Sequence, residues 1–228
     1  MMLSRRVVII ANGDLKDLVF YQDLVSEDDL ILCVNGGTAH ALDLGLKPDL
    51  VIGDLDSLQS ADRERIDQMK VRLIKSPSQK DKSDLELAID HAVGLNPAEI
   101  LIIGALGGKR FDHAFINVLL LDIPLRKQIP ARIIDENQEI FLAREEIVLS
   151  GDKGIYLSLF ALTDKVSGIV TEGLKYPLNN DSLYFASTRG LSNELTATEA
   201  RVSFKSGLLL IVKTPAPAAV TGFTWPGH

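Results

Sequence analysis

Six short, nearly continuous aliphatic runs recur through residues 1–135, at 7–10, 30–34, 49–52, 71–74, 99–103 and 131–134. They lack the polar alternation of a strand with one wet face, so they read as strands buried on both sides. Between them, 38–46, 61–69, 83–93 and 112–121 carry helical spacing. The repeated strand–helix order predicts an α/β domain, an open parallel sheet covered by helices. One helix start is explicit: Ser83 followed by Glu86 forms a capping box, with Leu85, Ala88, Ile89 and Ala92 on one apolar face.

Beyond Asp135 the pattern changes to short alternating segments at 146–149, 155–161, 168–171, 182–186, 194–204 and 208–212, separated by turns such as Ser150-Gly151-Asp152 and Ser206-Gly207. That pattern predicts an antiparallel β-sandwich or barrel. Composition shifts at the same point. Of 20 aspartates, 17 lie at or before Asp135, whereas nine of 13 aromatic residues follow it. The expected domains are therefore 1–135 and 136–228, with an irregular tail from Pro215 to His228 that contains Trp225.

Twenty-four lysines and arginines against 31 acids give a net charge of -7 and no basic field to attract nucleic acid or an anionic membrane. The lone Cys33 excludes an intramolecular disulfide, a CxxC pair and a multi-cysteine zinc site. Arg5 and Arg6 precede an apolar run that Asn12-Gly13-Asp14 interrupts too early for a secretory signal, and no stretch approaches the ~18 residues of a membrane span. A cytoplasmic protein is expected.

Ligands of open parallel sheets bind beyond the carboxyl ends of the strands. Here those positions read Asn12-Gly13-Asp14, Asn35-Gly36-Gly37-Thr38, Gly53-Asp54-Leu55-Asp56-Ser57 and Gly104-Ala105-Leu106-Gly107-Gly108. Asp54 and Asp56, two apart, put both carboxylates on one side of an extended chain, where a hard cation such as Mg2+ would relieve their repulsion. The alternative is a turn bonded to its own backbone. Asp84 stands at the first helical position after Ser83, a place the helix dipole favours with or without a function. Lys75, Lys80 and Lys82 make a basic run that is either a solvated loop or the counter-charge of a polyphosphate. Lys109, Arg110, Asp112 and His113 lead into a helix whose N-terminus favours anions, and His113 and Asn117 share one of its faces. Neither GxxxxGK[ST] nor GxGxxG occurs.

Gly53-Asp54-Leu55-Asp56-Ser57, Ser83-Asp84, Gly107-Gly108-Lys109-Arg110-Phe111-Asp112-His113 with Asn117, then Gly173-Leu174-Lys175-Tyr176-Pro177 and Gly190-Leu191-Ser192-Asn193-Glu194 follow in this order. Over about residues 12–212 the chain resembles the thiamin pyrophosphokinase family. The resemblance implies an α/β catalytic domain, a β-sandwich domain, and a homodimer with active sites between subunits. It implies Asp54, Asp56 and Asp84 as Mg2+ ligands and Arg110 with Asp112 as the R-x-D-H element at the phosphates of ATP. Lys82, Lys109, His113 and Asn117 would help to bind ATP, and Ser192 and Asn193 would line the thiamin pocket. One departure stands out: Lys109 separates the glycine pair from the arginine, so Lys109 can share the phosphate role. The implied reaction moves the diphosphoryl group of ATP to the hydroxyl of thiamin, giving thiamin diphosphate and AMP, with Asp84, Asp112 or no residue as general base. A pyrophosphokinase for another hydroxymethyl heterocycle such as a pterin, or an inactive thiamin- or nucleotide-binding protein, are the competing expectations.

Overall fold

A computed structural model describes residues 5–53, 58–75 and 81–215, and the chain divides between Glu136 and Asn137 into two units. In the first unit the elements run β1 (Val7–Ile10), α1 (Leu18–Leu24), β2 (Leu30–Val34), α2 (Gly37–Asp43), β3 (Leu50–Gly53), α3 (Ser60–Gln68) and β4 (Arg72–Lys75). They continue through α4 (Asp84–Gly94), β5 (Ile100–Ile103), α5 (Phe111–Leu119), α6 (Asp122–Leu125) and β6 (Ala131–Asp135). β1, β3 and β5 are buried along their whole length, which is why their sequences carry no alternation.

The sheet order of this unit is β6-β5-β1-β2-β3-β4, and each neighbouring pair is parallel. The chain builds outward from β1 to β4, then returns through α4 to β5 on the other side of β1. Right-handed crossovers therefore put α1 to α3 on one face and α4 to α6 on the other. Consistent with this, α4 packs against β1, β2, β3 and α6. The reversal makes the carboxyl ends of β1 and β5 a topological switch point, where the connections leave for opposite faces and open a crevice.

Two helices carry no sequence signal of the expected kind. α1 buries only Tyr21, whose hydroxyl donates to Glu136 Oε2 at 2.5 Å, so no apolar period betrays it. Its start is set by Asp17, which accepts from the Phe20 N–H at 3.1 Å. The four-residue α6 is too short for periodicity.

The second unit runs β7 (Gln138–Ala143), β8 (Ile147–Ser150), β9 (Tyr156–Ala161), β10 (Lys165–Glu172), β11 (Asn179–Tyr184), β12 (Asn193–Glu194), β13 (Glu199–Ser203) and β14 (Leu209–Thr214). Two antiparallel sheets, β12-β9-β14-β7 and β11-β10-β13-β8, form the sandwich. Alternate residues of both, including Leu157, Leu159 and Ile211 from one and Val166, Leu183 and Val202 from the other, meet in its core. Each such side chain contributes about 1.5–3 kcal/mol on burial. The sequence missed β7 because a buried charge, Glu139 paired with Lys213, stands where the apolar run of a buried strand would begin, and burial of five of its six residues leaves no alternation either. The single strand expected over 194–204 is broken into β12 and β13, and the one expected at 182–186 lies three residues earlier as β11. The expected irregular tail falls outside the described residues from 216 onward. Among the described residues no helix is long and apolar enough to cross a membrane.

Candidate active site

The carboxyl ends of β1, β2 and β3 are locked together by asparagines set into spaces that glycines leave open. A Cβ on Gly36 would fall 2.1 Å from Asn12 Oδ1, and one on Gly53 would fall 1.6 Å from Asn35 Oδ1. A side chain at either position would force the asparagine amide to move, and the φ of 149° at Gly53 disfavours one there in any case. Asn35 itself has a φ of 47°, the left-handed region in which asparagine is among the less strained choices. Its Nδ2 donates to Asp84 Oδ2 at 2.8 Å, while its Oδ1 is buried and has no hydrogen-bond partner among the described residues.

Asp84 owes its place to the helix start read from the sequence. Ser83 caps α4 by accepting from the Glu86 N–H at 3.1 Å, which sets Asp84 in the first turn. The Asn35 bond then ties this carboxylate to the end of β2. Asp54 and Asp56, the other two expected metal ligands, lie outside the described residues, as does Lys80. Among the described residues no group of three His, Cys, Asp or Glu converges on a metal position.

At the switch point the Gly13 N–H donates to the Gly104 carbonyl at 2.6 Å, and Asp14 Oδ2 accepts from the Gly108 N–H at 3.2 Å. From α5, Asn117 Nδ2 donates to the Ala105 carbonyl at 2.8 Å. The β5 loop is therefore held from two sides, and one of Asn117's amide N–H groups fastens the loop. Arg110 and Asp112 form a bidentate pair at the start of α5, with Nε to Oδ1 at 2.9 Å and Nη2 to Oδ2 at 2.5 Å. Both side chains stand in solvent, 67% and 62% exposed, so the guanidinium is accessible to an incoming anion. The Arg110 hydrogen bonds hold the Asp112 carboxyl at about 2, which makes it a weak proton acceptor near neutral pH. Lys109 and His113 are also exposed. Lys82 instead folds back along α4, with Nζ 2.6 Å from Asp90 Oδ2 and 3.3 Å from Glu86 Oε1.

In the second unit Ser192 is exposed, has a φ of 55°, and donates its backbone N–H to Ser158 Oγ at 3.0 Å. Asn193 is buried. Its Oδ1 accepts from the N–H groups of Tyr176 at 3.0 Å and Glu194 at 2.9 Å, and its Nδ2 donates to the Tyr176 carbonyl at 2.7 Å. Asn35 is the residue that motif reading passed over; the signal available was an asparagine ahead of two glycines at a buried strand end.

An open parallel sheet with an acid and a basic helix start at its carboxyl edge, on one chain with an antiparallel sandwich, defines a two-unit α/β protein with an anion-favouring strand edge. A family model described as "Thiamin pyrophosphokinase, catalytic domain" matches residues 21–133, and one described as "Thiamin pyrophosphokinase, vitamin B1 binding domain" matches residues 142–209. The chain is 33% identical to the thiamine pyrophosphokinase of Bacillus subtilis (strain 168), across 92% of this chain and 99% of the relative. It belongs to the thiamin pyrophosphokinase family. The solved structure of the Bacillus subtilis thiamine pyrophosphokinase aligns with a TM-score of 0.84 at 31% identity, covering 92% of this chain and 99% of that one. That of the Geobacillus thermodenitrificans thiamin pyrophosphokinase aligns at 0.82 and 30% identity, covering 93% and 99%.

Proposed function

We propose that this chain transfers the β,γ-diphosphoryl group of ATP to the primary hydroxyl of thiamin, yielding thiamin diphosphate and AMP. The observation that carries this reading is the order of the two matches along one chain, a catalytic domain followed by a vitamin B1 binding domain. In the step, the hydroxyl oxygen bonds to the β-phosphorus, the bond from that phosphorus to the bridging oxygen of AMP breaks, and the hydroxyl proton is released. Little covalent work falls to the protein, because phosphoryl-type transfer depends on positioning and charge neutralisation.

Arg110 has the right chemistry for the polyphosphate: a planar guanidinium in solvent at a helix start, able to exchange Asp112 for phosphate oxygens. Lys109, His113 and Asn117 flank it in sequence, and the reading includes them as ATP contacts. It includes Lys82 as well, on release from Asp90 and Glu86. The oxygen donors at Asp84 and the buried Asn35 Oδ1, which has no partner among the described residues, fit a hard cation in kind. Mg2+ held by Asp54, Asp56 and Asp84 would, when bound, supply neutralisation of polyphosphate charge. The hydroxyl proton goes to Asp84, to Asp112 once Arg110 has turned from it to phosphate, or to solvent.

Ser192 and Asn193 belong to the thiamin side of the reading. Two copies of the chain would make the working enzyme in the cytoplasm, each active site drawing on both. Mixing an Asp54→Asn protein with a protein disabled at Ser192 and Asn193 is then expected to restore activity in heterodimers, and no gain with heterodimers present would assign each site to one chain.

Turnover with Mg-ATP, read as AMP release, tests the function directly. Thiamin is the expected acceptor; AMP release with a hydroxymethyl pterin instead would establish the rival kinase, and none with either would leave a binding protein. Within that assay Arg110→Ala should lower kcat/KM for ATP by roughly 10- to 150-fold, the worth of a charge-assisted hydrogen bond, and Lys109→Ala by less. The opposite ranking would give the phosphate role to Lys109.

A further inference from the structure

Between β5 and α5 the chain must hold Lys109 and Arg110 still, and the backbone there is poorly suited to it. Gly107 and Gly108 follow one another in the left-handed region, with φ of 79° and 74°. At Gly108 an added carbon would meet nothing within 4 Å among the described residues, so the conformation and not a lack of space calls for glycine. Glycine also loses more backbone freedom on ordering than any other residue, so a glycine pair does not hold itself. The first turn of α5, Phe111 to His113, is exposed throughout, and core packing therefore does not fix where the helix begins. What fixes the pair is polar. Asp14 Oδ2 accepts from the Gly108 N–H at 3.2 Å, and its side chain lies against Gly107, where an added carbon would stand 3.6 Å from the Asp14 Cβ. Asp14 is itself mounted on firmly held backbone. The Ala11 N–H donates to the Ile103 carbonyl at 2.9 Å, the Gly13 N–H donates to the Gly104 carbonyl at 2.6 Å, and a carbon added to Gly13 would fall 2.3 Å from the Leu106 carbonyl oxygen.

The geometry points to Asp14 as a positioning residue for phosphate binding: its carboxylate sets the Gly107–Gly108 turn and, through that turn, the two cationic side chains that follow it. The inference rests on the ATP reading given above. Asparagine, glycine and aspartate together are ordinary turn chemistry, which accounts for Asp14 within its own turn and for nothing beyond it. Its bond to Gly108 spans 94 residues and reaches the loop that carries Arg110. Electrostatics alone argue against an acid beside a polyphosphate site, so the charge of Asp14 and its hydrogen bond act on ATP with opposite sign. Asparagine separates the two, because it keeps an acceptor oxygen and removes the charge. The role is exerted through Lys109 and Arg110 and not by contact with the nucleotide.

The test joins amide hydrogen exchange of the ligand-free whole chain with steady-state kinetics. Asp14→Ala is expected to speed exchange of the Gly108 amide by roughly 2- to 13-fold and to raise the KM for ATP by a similar factor, the worth of one hydrogen bond, with the KM for thiamin unmoved. Asp14→Asn should bring both readouts back close to wild type. Combined with Arg110→Ala, Asp14→Ala should cost less in ATP use than the product of the two single losses, because both changes strike one contact. Exchange at Gly108 that Asp14→Ala leaves unchanged overturns the anchoring. Faster exchange with an unchanged KM for ATP overturns the role in phosphate binding. A KM for ATP below wild type in Asp14→Ala overturns it as well and makes the carboxylate a charge that opposes polyphosphate. Losses that multiply in the double variant overturn the route through Arg110. A wild-type chain that does not use ATP overturns the underlying reading and the phosphate role of Asp14 with it, whatever the exchange at Gly108 shows.

Discussion

Asp84→Asn is expected to lower turnover of thiamin with Mg-ATP by at least ~100-fold while leaving the fold almost as stable as before. The two readouts separate the roles that a carboxylate in the first turn of α4 can play. As a partner of the helix dipole it is worth only about 0.3–1 kcal/mol, or no more than about 4 °C in melting temperature for a chain of this size. As the group facing a metal and a polyphosphate, its charge is needed in full. Asparagine keeps the shape and still offers an oxygen to the Asn35 amide, so the local bond at 2.8 Å need not be lost. Asp54→Asn and Asp56→Asn should match it in activity. A variant that melts early yet turns over normally would reduce Asp84 to a helix-stabilising residue.

The largest stability effect is expected at the opposite end of the chain. Lys213 Nζ lies 2.6 Å from Glu139 Oε2, directly across the β14–β7 pairing, and the two side chains are 8% and 5% exposed. Glu139→Ala leaves a buried ammonium without this carboxylate and should cost about 3–5 kcal/mol, lowering the melting temperature by roughly 6–20 °C. Replacing both residues with apolar ones of similar volume should recover most of it or exceed wild type, because each ion forgoes several kcal/mol of hydration. Urea or thermal denaturation of the single and double variants decides the matter. A single variant as stable as wild type would mean that water or other neighbours already satisfy the charge.

What could be read from the sequence followed local physics. The aliphatic runs of β1, β3 and β5 and the Ser83–Glu86 cap are signals written in neighbouring residues, and they located the sheet and Asp84. Helix α1 was invisible because one buried tyrosine and a bond to Glu136, 115 residues away, hold it in place of an apolar face. β7 was lost because its buried Glu139, matched by Lys213 74 residues away, shortens the apolar run that marks a buried strand. At the site, the family motif put Arg110 and Asp112 together, whereas their bidentate pairing and the bond from Asn35 to Asp84, which spans 49 residues, belong to the fold alone. Likewise Asn193 carried a family motif, but only its three backbone bonds reveal what its amide is occupied with.

The asparagines seated in the glycine spaces of the strand ends bear on how this site can change over generations. A side chain at position 53 would meet Asn35 Oδ1 1.6 Å from its Cβ on a backbone whose φ of 149° already disfavours one, and a side chain at position 36 would force the Asn12 amide, 2.1 Å away, to move. A change at position 36 is therefore easier once Asn12 has changed, whereas position 53 favours glycine whatever stands at 35, and loss of Asn35 costs Asp84 its tether. Drift should therefore be correlated at 12 and 36, and a library that varies these two jointly should yield more folded survivors than one that varies 36 alone, while position 53 should return glycine in either.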